Sequence, residues 1–179
     1  MQYQDQTPLP NGFCIIRLAA PSKDYAETRR ISANQLSQAF ELSSEDKKSV
    51  PPHLSVWAES LTTPQQAYNF LVENRPNSPR KLVIRLSVDD IRGLKSRPSQ
   101  SNAIYDNLLD VIWIYLFEDP ETRKIRNVRP GADGHSGIIG LDEGSAADDL
   151  SRAQKKILRK DLRAQLADLA SRDNFLIEI

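Results

Sequence analysis

His53 and His135 are the only histidines among 179 residues. Imidazole is the side chain whose ordinary pKa lets it exchange a proton near neutral pH. Brought to one site, one ring can take a proton while the other gives one, which is what acid–base hydrolysis requires. Ser55 follows His53 by two positions and supplies a hydroxyl. Arg17 and Arg85 each interrupt an apolar run, and a guanidinium pointing into a cleft holds a phosphate or carboxylate through parallel N–H groups. An antiparallel sheet can also keep one face wet, and the strand positions of both arginines favour that plainer reading, in which they are surface residues.

His53-Leu-Ser-Val resembles the His-apolar-Ser/Thr-apolar motif of the two-histidine phosphoesterases. His135-Ser-Gly-Ile, 82 residues further on, is similar to it but departs in one respect: the serine comes one place early, and glycine stands where the second hydroxyl belongs. The resemblance implies two imidazoles on adjacent strands, acting as general acid and base on a phosphodiester or nucleotide. It carries catalytic roles onto His53, Ser55 and His135, with Arg17 or Arg85 near the phosphate.

His135 lies in Arg129-Pro-Gly-Ala-Asp-Gly-His-Ser-Gly-Ile-Ile-Gly140, which holds four of the seven glycines of the chain. Glycine tolerates positive φ and close backbone approach, so the stretch reads as a shaped, ordered turn leading to a capped helix. Its spacing fits neither a dinucleotide fingerprint nor a P-loop, and Asp142 and Glu143 just before the helix would repel an anion. Asp133, His135, Asp142 and Glu143 offer metal-ligating atoms around this turn, but the spacing matches no calcium loop, and two histidines with one cysteine make a poor zinc set. Neither metal nor cofactor is expected. Cys14 sits in an apolar run and reads as a buried small hydrophobe in a reducing compartment.

The elements that must position these groups follow from periodicity. Gly12–Ala19 reads as a strand ended by Pro21, and Ser32–Glu41 as a short amphipathic helix with Ser32 as its cap. Val50-Pro-Pro places an extended segment over His53–Ala58, because proline biases its predecessor toward β geometry. Thr63-Pro64 starts a helix that ends near Asn74, and Lys81–Val88 alternates as the clearest strand. Residues 95–103 are loop-like by composition. Asp110–Glu118 and Ile125–Arg129 flank a turn as a hairpin, Ser145–Ser171 carries one apolar stripe over roughly seven turns, and Asn174–Ile179 reads as a closing strand. Along the long helix Lys155, Lys156, Arg159 and Lys160 could neutralise the phosphates of a nucleic acid, although such a run usually just solvates a helix face.

These elements predict an α+β domain over residues 12–179 after a flexible 1–11. Its mainly antiparallel sheet has about five strands, with the long C-terminal helix and the Thr63 helix on one face. The 24 basic and 24 acidic side chains give zero formal net charge, which excludes a general polyanion binder. No stretch is apolar enough for a membrane span, and the first residues lack a secretory pattern, so a cytoplasmic protein is expected. With no cofactor fingerprint or nucleophile elbow, the sequence favours a non-enzymatic interaction or regulatory module with a protein partner. Aromatic Trp57, Trp113 and Tyr115 are its positive hint. The alternatives are the two-histidine hydrolase and nucleic-acid binding through the basic helix.

Overall fold

The computed structural model describes residues 7–21, 33–97, 103–114, 116–118, 125–127, 134–142 and 149–177. Six strands form one antiparallel sheet in the order β4-β7-β2-β1-β3-β8: β1 (Cys14–Ala19), β2 (His53–Ala58), β3 (Leu82–Ser87), β4 (Asp110–Trp113), β7 (His135–Ile139) and β8 (Asn174–Leu176). A separate two-stranded ribbon pairs β5 (Leu116–Glu118) with β6 (Ile125–Asn127). The helices are α1 (Ala33–Ala39), α2 (Ser44–Lys48), α3 (Pro64–Asn74), α4 (Val88–Arg92) and α5 (Arg152–Ala170). The fold is α+β.

The starts of α3 and α5 obey local chemistry. Thr63 and Ser151 each accept from the backbone N–H three residues on, and Gln66 and Gln154 reach back to the cap N–H. Pro64 sits in the first turn of α3, where a missing N–H costs nothing. The predicted start of the long helix at Ser145 moves to Arg152, and residues 143–148 lie outside the described ones, as do Ser32 and its proposed cap.

Two helices cover opposite faces of the sheet rather than one. Strand alternation sends Ile15, Leu54, Val56, Ile84 and Ile138 to the face that packs on Leu158, Leu162 and Leu166 of α5. It sends Ile16, Leu18, Trp57 and Val83 to the face that packs on Ala67 and Leu71 of α3. A sheet covered on both faces leaves its strands apolar on both, which is why β1 reads as a nearly continuous run.

Other expectations shift for similar reasons. The apolar run from Asp110 does not form one strand: its first part joins the main sheet against β7 and its second part the ribbon. The expected turn over 129–140 contains a strand, because His135–Ile139 is paired on both sides, with β2 and with β4. Cys14 is exposed at the start of β1 rather than buried. Of the N-terminal stretch expected to be flexible, Leu9 is in the core and its N–H donates to the Val111 carbonyl at 2.8 Å. No helix among the described residues is long and apolar enough to cross a membrane.

Candidate functional site

The β2–β7 ladder brings the two histidines together. Its register sets Trp57 opposite His135, Ser55 opposite Gly137 and His53 opposite Ile139, so His53, Ser55, Trp57, His135 and Gly137 share one face. The imidazole centroids are 6.3 Å apart with their planes at 71°, and the Trp57 ring lies 5.9 Å from that of His135. Ser136, the early serine of the second motif, faces the opposite side: it is fully buried and its hydroxyl donates to the Gly134 carbonyl at 2.9 Å.

His53 is 4% exposed, and its Nδ1 lies 2.9 Å from the Pro51 carbonyl, an atom that can only accept. Nδ1 therefore carries the proton, and Nε2 is the nitrogen that can exchange one. The ring lies over Gly137. A Cβ on that glycine would come within 2.8 Å of the His53 Cβ, Cγ and Cδ2 atoms, so the missing side chain makes room for the imidazole. Glycine in place of the motif's second hydroxyl thus has a packing reason.

A cleft of about 350 Å³ opens beside the pair, and Arg17, His53, Ser55, Trp57, Arg80 and His135 all line it. Arg17 is a buried cation, 7% exposed, and not the surface residue its strand position suggested. The β1–β2 ladder runs through Ile15–Ala58 and Ile16–Trp57, and Arg17 sits where it stops. Its Nη1 donates to the Ser55 carbonyl at 2.7 Å and its Nε to the Ala39 carbonyl at 2.6 Å. Burial pushes Arg17 down to about 10, with the neighbouring Arg80 cation adding to the fall and Asp46 opposing it, so the guanidinium stays charged at neutral pH.

The cations of the cleft outweigh its carboxylates. Glu45 is held by Arg75 at 2.6 Å, and Asp46 accepts from the Ser43 N–H at 2.8 Å in the capping box of α2. Among the described residues neither Arg17 nor Arg80 has a carboxylate in ion-pair range. Two guanidinia beside two imidazoles make a place for one anion. Sequence reasoning missed Arg80, which follows the prolines of the α3–β3 connection, where no periodicity marks it. The indole Nε1 of Trp57 is buried without an acceptor among the described residues.

The remaining expected site residues lie elsewhere. Arg85 pairs with Glu59 at 2.7 Å and with Asp173 at 3.1 Å, away from the cleft. The Glu59 hydrogen bond raises its pKa further, and its charge is already satisfied. On α5, Lys156 and Arg159 line a groove on the far side of α2, Lys155 a smaller hollow beside it, and Lys160 neither. Of the aromatic residues expected at an interaction surface, Trp57 is 6% exposed and Trp113 half-buried, while Tyr115 is outside the described residues. Asp133 and Glu143 are also outside them, and among the described residues no three His, Cys, Asp or Glu side chains converge as metal ligands.

No protein-family model matches the chain, and neither a curated protein nor a solved structure does.

Proposed function

We propose that the β2–β7 cleft hydrolyses a phosphodiester, using His53 and His135 as the acid–base pair. The observation that carries this reading is the ring pair itself, two imidazoles at 6.3 Å on one sheet face, with a buried arginine among the residues that line the cleft. His53 Nε2 takes a proton from the attacking water, the water oxygen bonds to phosphorus, and the bond to the leaving alkoxide breaks. His135 gives that alkoxide its proton. Arg17 and Arg80 face the non-bridging oxygens, whose charge grows in the transition state, and the Ser55 hydroxyl supplies a further donor. A phosphodiester carries a single negative charge, which suits a cleft whose carboxylates are already engaged. The single cysteine leaves no disulfide within the chain and suits a reducing compartment, so the cytoplasm is the proposed setting.

The test is turnover of small linear and cyclic phosphodiesters by the purified protein. His53→Ala and His135→Ala should each lower kcat by roughly 10²- to 10⁴-fold with the fold retained, and the wild-type rate should be bell-shaped in pH, since one ring must be neutral and the other charged. Wild-type protein without turnover, or either variant at wild-type rate, would reject the proposal.

A further inference from the structure

A groove of about 1040 Å³ lies on the far side of α2. It shares α2 and the start of β2 with the histidine cleft: Asp46 and His53 line the cleft, while their chain neighbours Lys47 and Pro52 line the groove. The five-residue helix α2 contributes side chains to both.

The groove is cationic. Lys47 enters from α2, and Arg152, Lys156, Arg159 and Arg163 from α5, against the described carboxylates Glu41 and Asp142. Glu41 is 3.7 Å from Arg163, and the Asp142 carbonyl accepts from Arg159 at 3.3 Å. Among the described residues that line it the one aromatic side chain, Phe40, is fully buried, so these residues offer charge and no stacking platform. Cations from two elements lining one groove suit a repeated phosphate read without regard to base.

We infer that this groove holds the backbone phosphates of a nucleic-acid strand whose scissile phosphodiester lies in the histidine cleft. The second half of that statement rests on the hydrolase reading, and the first does not. The inference also separates the groove from the basic run on α5: Lys160 belongs to the run but not to the groove, whereas Lys47 is on another helix and faces it.

The test is anisotropy of a labelled homopolymeric oligonucleotide from about 50 to 200 mM salt, a range over which phosphate contacts dominate affinity. The double substitution Lys47→Ala with Lys156→Ala should weaken binding about tenfold and flatten the slope of log K against log salt by about 1.4, at about 0.7 per lost contact with a single strand. Both lysines are exposed, so folding should be unchanged, as should turnover of a small phosphodiester. Lys48→Ala with Lys160→Ala removes equal charge outside the groove and should leave binding within about twofold, since such exposed charges add little. The variant lacking both imidazoles should still bind the oligonucleotide. Absence of oligonucleotide binding, equal loss in the two lysine pairs, or tighter binding of polyglutamate than of the oligonucleotide overturns the groove assignment. Oligonucleotide binding lost only in the groove variant, from a protein that turns over no phosphodiester, upholds the groove and removes the hydrolase reading alone.

Discussion

Gly140→Ala is expected to lower stability by about 4 kcal/mol, because conformational strain and overpacking at this position each cost about 1 to 3 kcal/mol. Gly140 ends β7 at φ +99°, a region that side chains on Cα disfavour. A Cβ there would stand 2.0 Å from the Leu108 carbonyl oxygen, and a backbone atom just before β4 cannot swing away like a side-chain tip. With a typical domain stability of about 5 to 15 kcal/mol, the variant should melt far below the wild type or accumulate as insoluble protein. Urea unfolding measures the difference, and a loss under about 1 kcal/mol would mean that the β7–β4 connection repacks freely.

Gly137→Ala should act on the site more than on the fold. The added methyl meets three atoms of the His53 side chain at 2.8 Å, and the ring, rather than the ladder, is the part that can move. Displacement of a reacting group by about 1 Å costs on the order of 10²-fold in rate, and the overpacking itself about 1 to 3 kcal/mol. Gly137→Ser should fare no better, although it puts back the hydroxyl of the two-histidine motif, since the same Cβ clashes. Combined with His53→Ala, either substitution should add little further loss of turnover, because both act through one ring. Full additivity in kcat would show that Gly137 does not work through His53.

The two glycines also explain what the sequence concealed. Strand β7 carries glycine at its middle and at its exit, residues that strands disfavour, so the segment reads as a turn although it is paired on both sides. What the glycines accommodate is tertiary, the His53 ring in one case and the Leu108 carbonyl in the other, and local pattern carries no trace of either. Where the cause is local, the reading succeeded: Thr63-Pro64 began its helix by capping, and Leu82, Ile84 and Leu86 alternated as a strand must. The apolar stripe on Leu158, Leu162 and Leu166 marked α5, but not which face of the sheet it would meet.

The site was legible to the same degree. The residue types of His53, Ser55 and His135 suggested a pair, and only the Trp57–His135 register makes them neighbours. Arg17 and Arg85 looked alike in sequence, each a cation within an apolar run. One fills the end of the β1–β2 ladder, bound to backbone carbonyls beside the cleft, and the other satisfies itself on Glu59 and Asp173. Arg80 had no signal at all. The exposed aromatics that favoured an interaction module are not found at Trp57, which packs in the core beneath α3.

The central claim is that both histidines serve one anion in one cleft, and imidazole ¹H–¹⁵N spectra test it with the fewest assumptions, because the chain has just two histidines. Titrated with inorganic phosphate or a slowly hydrolysed phosphodiester, the resonances of His53 and His135 should shift together along one binding curve, and Arg17→Ala should weaken that curve for both. Two curves of different midpoint, or a response from one ring alone, would contradict it.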